Sequence, residues 1–245
     1  MDRCAFRTTE EQRKNMNLLA LDTSTEFLSL ALQVQGAVFS YHEHVGNATS
    51  QHILPQISML LNQANIQLNQ LDGIAFGAGP GSFTGVRIAA GVTQGLAMSA
   101  NLPVVPVCTL LAMAHDAGHD KVITCLDARM REIYHAAYEK KAGDWVEVIA
   151  PNVCAAQNAP KVVGSGWVGV GNGWLSDGDA LNAVYAGQVM RVQENLIPTA
   201  RAILSLATPK FLAKEACTAA EAIPLYVRNR VALTIAERLQ AGNTK

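Results

Sequence analysis

No charge of one sign dominates this chain: 19 Lys and Arg stand against 20 Asp and Glu, a formal net charge of -1 over 245 residues. A protein that grips a nucleic-acid backbone by itself carries a clear basic excess, because neutralising phosphates supplies most of the affinity. Any RNA contact is therefore expected through another subunit. The five cysteines (Cys4, Cys108, Cys125, Cys154, Cys217) are odd in number and include no CxxC pair, which argues against a disulfide framework and points to reduced thiols. No secretory hydrophobic core opens the chain, since residues 1–15 are polar and charged. Long apolar runs are missing too. The best of them, Ser82 to Ala100, is interrupted by Arg87 and Gln94 and reads as a buried helix rather than a membrane span. These absences predict a cytoplasmic protein with no membrane association. What is present, 49% hydrophobic and 16% charged residues, suffices for one large domain or two lobes.

From Asn17 the pattern is strand (Leu18 to Asp22), polar turn, strand (Phe27 to Val34), hairpin at Gly36, and strand (Val38 to His42). Asn47 to Ser50 supplies capping residues for a helix with Ile53, Ile57 and Leu60 on one face. A short strand (Gly73 to Phe76) leads through a glycine-rich turn into a helix ending near Asn101. Pro103 to Val107 is extended, and a helix follows from Thr109 to Gly118. At Val122 the opening pattern restarts, and its first strand again ends in Leu-Asp (Leu126-Asp127, as Leu21-Asp22). A unit that occurs twice predicts an α/β protein of two related lobes, each a mixed sheet with flanking helices, as in the actin-like (ASKHA) fold. The expected organisation is a flexible extension over 1–15, with Met16 an alternative start. A first lobe over 16–120 and a second over 121–245 follow, and the C-terminal segment returns to the first. Helical stretches near Ala200–Ala207 and Lys210–Ala222 are expected to complete the second lobe, with Pro224–Asn229 extended and Val231–Gln240 helical.

The turn Gly77-Ala78-Gly79-Pro80-Gly81-Ser82-Phe83-Thr84-Gly85-Val86-Arg87 joins a buried strand to the long helix. Its glycines permit positive φ and close backbone approach, and Ser82 or Thr84 can cap the helix. Its spacing is neither that of a Walker loop nor of a dinucleotide fingerprint. With Leu19-Ala20-Leu21-Asp22-Thr23-Ser24, Leu126-Asp127-Ala128-Arg129-Met130, Glu132-Ile133-Tyr134 and Pro224-Leu225-Tyr226-Val227-Arg228-Asn229, this turn makes the chain resemble the TsaB (YeaZ) family over most of its length from Met16. The resemblance implies an actin-like fold and a role in forming threonylcarbamoyladenosine at position 37 of tRNAs that read ANN codons. It further implies a subunit that catalyses nothing alone. Such a subunit pairs with the transferase TsaD through first-lobe helices, works with the ATPase TsaE, meets tRNA through the complex, and is able to form a homodimer. No cofactor of its own is implied; nucleotide would sit at the complex junction or on the partners.

On the long helix Gly81, Gly85 and Ala89 share a spacing of four, as do Gly91 and Gly95. Small residues so spaced let another backbone approach. The expected partner surface is Ile53, Ile57, Leu60, Gly85, Ala89, Gly91 and Gly95. Asp22, Thr23 and Asp127 stand where an active enzyme of this fold handles metal and phosphate, but no glycine follows either aspartate, and Arg131 replaces the family's usual glycine. They read as a degenerate phosphate site. His115 and His119 have the spacing of a metal pair, yet Gly118 between them reads as a helix terminator that takes His119 off the shared face. No metal site is expected. Trp167 and Trp174 are read as core. The competing reading is an ATP-dependent or metal-dependent, glycoprotease-like enzyme of the same fold.

Overall fold

The computed structural model describes residues 11–227. Strand β1 (Leu18–Asp22) is buried at every position, as the centre of a sheet covered on both faces must be. It pairs antiparallel with β2 (Phe27–Val34) and parallel with β4 (Gly73–Gly79). A two-residue turn, Gln35-Gly36 with φ of 50° and 84°, joins β2 to β3 (Ala37–His44). Such a turn matches the twist of the strands it connects. With β5 (Val104–Cys108) the sheet order is β3-β2-β1-β4-β5.

The second sheet contains β6 (Lys121–Asp127), β7 (Ile133–Lys141), β8 (Asp144–Cys154), β9 (Trp167–Val170) and β10 (Val189–Gln193), ordered β10-β9-β6-β7-β8. Matched in chain order, it repeats the first. The opening strand lies in the middle, two antiparallel strands lie on one side, and two parallel strands on the other. The duplication read from the sequence is therefore structural, and Asp22 and Asp127 end equivalent central strands.

Helices α1 (Thr49–Gln63) and α2 (Phe83–Ala100) cover one face of the first sheet. Helix α3 (Thr109–Asp116) turns Leu110, Met113 and Ala114 toward Val122, Leu126 and Val168 of the second sheet. Helix α4 (Gly173–Val184) packs Trp174 and Leu181 among Ile123 and Trp167. Helix α5 (Ala200–Leu212) corrects an expectation: instead of completing the second lobe, it lays Ile203, Leu204, Ala207 and Phe211 on Leu18, Ala20 and Ala75 of the first sheet. The physical reason is that this apolar face would otherwise be open to water, while α3 already covers the second sheet. Polar contacts fix the return. The Ala200 amide donates to Ser29 Oγ at 2.8 Å, and Thr199 donates to Asp116 at 2.6 Å while capping α5.

Three smaller expectations change. Helix α1 has no side-chain cap; the Thr49 hydroxyl instead donates back to the Gly46 carbonyl. Residues 11–15, expected in a flexible extension, are helical, and Gln33 Nε2 donates to the carbonyls of Arg13 and Met16 at 2.7 and 3.1 Å. The helix expected over 210–222 stops at Leu212, followed by a 3-10 turn at Ala219–Glu221. Arg228, Asn229 and the helix expected over Val231–Gln240 lie outside the described residues, as do residues 1–10.

If α5 belongs to the first lobe, Ile203→Ala should cost about 2–5 kcal/mol in chemical denaturation. Amide exchange should then accelerate in Leu18–Asp22 before it does in Val122–Leu126.

Candidate functional site

The glycine-rich loop is seated on the turn between β1 and β2. The Ser82 amide donates to the Ser24 carbonyl at 2.7 Å, and the Thr23 hydroxyl donates to the Gly85 carbonyl at 2.7 Å. Ser82 caps α2, its Oγ accepting from the Gly85 amide at 3.4 Å. Side chains are excluded here by contact: a Cβ on Gly77 would overlap Asp22 Oδ2, and one on Gly85 would overlap the Thr23 carbonyl. These glycines are needed to let the loop lie against its neighbour, which is the packing role rather than the anion-binding one.

Asp22 is consequently sealed, with 1% of its surface exposed. Its Oδ1 accepts from the Ser24 amide and hydroxyl at 3.0 and 2.8 Å, while Oδ2 is buried with no hydrogen-bond partner among the described residues. Burial pushes the carboxyl up to about 6, against the opposing pull of Ser24. Asp127 lies on the wall of a cleft of about 560 Å³ between the lobes, lined also by Ser24, Phe27, Phe83, Arg129 and Asn172. Its carboxylate accepts from the Arg129 amide at 2.8 Å and pairs with the Arg129 guanidinium at 3.2 Å. The same guanidinium crosses to Glu26 of the first lobe at 3.4 Å. Arg129, Met130 and Arg131 all have left-handed backbones, φ 62°, 57° and 60°, so glycine is the residue this turn suits at 131. The structure thus places Asp22, Thr23 and Asp127 in two different settings. Two lie beneath the glycine loop and one stands at the cleft, held by its own arginine.

The expected partner surface divides. Ile53, Ile57, Leu60 and Ala89 are at most 3% exposed in the lobe's own core, and Gly85 is buried against Thr23. Being sealed in the monomer, these five cannot meet a partner. Gly91 and Gly95 point the other way, with nothing within 4 Å of a Cβ placed on either. Leu54, Met59 and Met98 are 52%, 40% and 72% exposed on the same two helices. Arg87 is the one Lys, Arg, Asp or Glu on α1 and α2 together. A glycine inside a helix costs about 1 kcal/mol relative to alanine, and packing among the described residues returns nothing for either of these two.

Sequence reasoning missed how the two end motifs meet. The Arg87 guanidinium lies 3.6 Å over the Phe83 ring, and its Nε donates to the Tyr226 hydroxyl at 2.9 Å. The Leu225 amide donates to the Ala78 carbonyl at 2.7 Å, and Gln94 reaches the Ala222 carbonyl at 3.1 Å. The glycine-rich loop and the Pro224–Val227 stretch form one structure. With Arg87 and Tyr226 139 positions apart, no spacing rule could have paired them.

The histidine pair comes apart as Gly118 predicts. Helix α3 ends at Asp116, Gly118 has φ 69°, and His115 contacts Trp145 Nε1 while His119 contacts Arg191. Among the described residues no three His, Cys, Asp or Glu side chains are grouped to hold a metal, and no helix is long and apolar enough to cross a membrane. Trp167 and Trp174 are buried in the second lobe. His135, also buried, is pushed down to about 4 by loss of solvent and contacts the Tyr185 hydroxyl at 2.7 Å. That hydroxyl donates to the Pro160 carbonyl, so His135 carries its proton on Nε2.

Gly77→Ala should destabilise the fold by about 1–3 kcal/mol or more through overpacking. Asp22→Ala should relieve part of that loss, giving a coupling of roughly 0.5–3 kcal/mol in a double-mutant cycle. Because the folded Asp22 value of about 6 lies above its ordinary 3.8, the folded state holds the proton more tightly. This contribution is full below pH 3.8 and is lost as pH rises through about 6. Asp22→Asn should flatten that part of the stability profile, measured by urea denaturation across the window.

Known proteins resemble this chain over most of its length. A family model described as TsaD, tRNA N6-adenosine threonylcarbamoyltransferase, matches residues 42–167. The tRNA threonylcarbamoyladenosine biosynthesis protein TsaB of Haemophilus influenzae is 38% identical over 231 residues, covering 89% of this chain and 96% of its own. The protein of the same name from Escherichia coli K12 is 36% identical, with the same coverage of both chains. Among solved structures, YeaZ from Pseudomonas aeruginosa superposes with a TM-score of 0.81 at 36% identity, covering 86% of this chain and 99% of that one. With the duplicated sheets, the GPGSFTGVR loop and this similarity over most of its length, the chain belongs to the TsaB (YeaZ) family of tRNA threonylcarbamoyladenosine biosynthesis proteins.

Proposed function

We propose that this protein is a noncatalytic subunit that pairs with TsaD and, with TsaE, supports threonylcarbamoylation of adenosine 37 in tRNAs reading ANN codons. The observation that carries the reading is the outer face of α1 and α2. It exposes Leu54, Met59 and Met98 and keeps two glycines that pack against nothing among the described residues. Large exposed apolar residues on helices almost free of charge are what an interface core requires. Gly91 and Gly95 would let a partner helix approach at backbone distance. The sealed carboxylate of Asp22 supports the noncatalytic half of the reading, because an acid buried under Gly77 is not available to metal or phosphate. In this reading nucleotide sits at the junction with the partner or on the partners, and tRNA is reached through the complex.

The test uses substitutions that the monomer tolerates. Gly91→Glu and Gly95→Glu place a charge on the open face without touching the core. Each isolated variant should melt within about 4 °C of the unmodified protein, since helix propensity shifts stability by no more than about 1 kcal/mol. Each should fail to co-elute with TsaD in size-exclusion chromatography and fail to support tRNA modification in a reconstituted mixture. Retained co-elution by both variants would remove this face as the pairing surface. Ala89→Glu is not equivalent, because it places a charge in the lobe's core and should unfold the chain.

A further inference from the structure

Arg87 shares the outer face of α2 with the two open glycines. Arg87, Gly91 and Gly95 follow one another at four-residue spacing and Met98 continues the row; at about 100° per residue the four span an arc of roughly 80°. All four are exposed. The arginine side chain is held in place. The Phe83 ring lies 3.6 Å beneath the guanidinium, the Tyr226 ring stands 5.7 Å away, and Nε donates to the Tyr226 hydroxyl at 2.9 Å. These contacts use one face and one nitrogen. The two terminal nitrogens take no hydrogen bond or ion pair among the described residues. A guanidinium fixed in this way matches a carboxylate, which accepts from both terminal nitrogens at once. The two helices supply no such group. Neither α1 nor α2 carries an Asp or Glu, and His52, the other residue on them that can take a charge, would also be positive. Glu221, on the 3-10 turn beside α2, is engaged by its own Thr218 amide and hydroxyl at 2.9 and 2.8 Å. A second copy pressed helix to helix on this face would therefore bury the guanidinium without a counter-charge, which is costly. A phosphate would also fit the guanidinium, but Gly91, Gly95 and Met98 continue the face as apolar surface, which suits a protein rather than an RNA backbone.

We infer that Arg87 is the specificity residue of this face: its terminal nitrogens take an Asp or Glu carboxylate presented by the partner, and this selects TsaD over a second copy of the chain. The inference rests on the pairing reading above and adds to it the chemistry that the partner must bring.

Calorimetric titration with TsaD compares the full chain with Arg87→Gln at low and at high salt. The glutamine amide nitrogen falls where Nε lies in arginine, so the variant keeps a donor for Tyr226 while losing the charge and the terminal nitrogens. Arg87→Gln should bind TsaD about 10–100-fold more weakly at low salt, and the gap should narrow at high salt. Without TsaD it should self-associate more tightly in sedimentation, because the unpaired charge is gone. Should Arg87→Gln not fold, Arg87→Lys replaces it; it keeps the charge without the paired nitrogens and should also bind more weakly at low salt. Affinity equal to that of the unmodified chain overturns the inference. So does a loss of the same size at both salts, which would limit Arg87 to holding the Pro224–Val227 stretch. Weakening seen only when tRNA or nucleotide is present overturns it too, assigning the guanidinium to a phosphate. Retained co-elution of Gly91→Glu and Gly95→Glu with TsaD overturns the pairing reading and this inference with it. Loss there, with equal affinity for Arg87→Gln, overturns this inference alone.

Discussion

The structure depends on one contact, the seating of the glycine-rich loop on the turn that follows β1. Ser82 and Thr23 supply the hydrogen bonds, and Gly77 and Gly85 supply the absence of side chains that lets two stretches of backbone touch. The start of α2 is fixed by this contact. So are the outer face of that helix and the position of Arg87, which then holds Tyr226. The contact also removes Asp22 from the solvent and leaves one of its oxygens with no hydrogen-bond partner among the described residues. Orphaning a buried carboxylate oxygen costs a few kcal/mol, which the packing around it must offset.

The second lobe repeats the device with other residues. After β9 the chain turns through Gly171-Asn172-Gly173, where a Cβ on Gly171 would overlap the Cys125 carbonyl. Asn172 accepts from the Asp127 amide at 2.9 Å. In each lobe a glycine turn therefore rests on the end of the central strand. The difference lies in the aspartate. Asp22 is roofed over, while Asp127 stays at the cleft and is paired by Arg129, which also ties the lobes together through Glu26.

Much of the fold was legible. The repeated strand–Asp–turn–strand pattern gave the two sheets because a strand buried on both faces must be apolar throughout, and both such strands here end in Leu-Asp. Gly118 correctly separated His115 from His119 because a left-handed residue ends a helix wherever it occurs. The partner face was legible only in part. Periodicity finds the apolar stripe of a helix, which for Ile53, Ile57 and Leu60 is the stripe its own sheet buries. A glycine reads the same whether it contacts its own core, as Gly85 does, or opens to the outside, as Gly91 and Gly95 do. The placement of α5 was illegible because an amphipathic helix does not record which of two sheets it covers.

The central proposal is that Asp22, sealed beneath the glycine loop, takes no part in a reaction and that the protein acts through its outer helical face. Asp22→Asn, assayed for tRNA modification in a reconstituted mixture with TsaD and TsaE, tests it most directly. The account predicts turnover equal to that of the unmodified protein, and no nucleotide hydrolysis by either form when purified alone. Loss of turnover in a variant that still folds and still co-elutes with TsaD would contradict it.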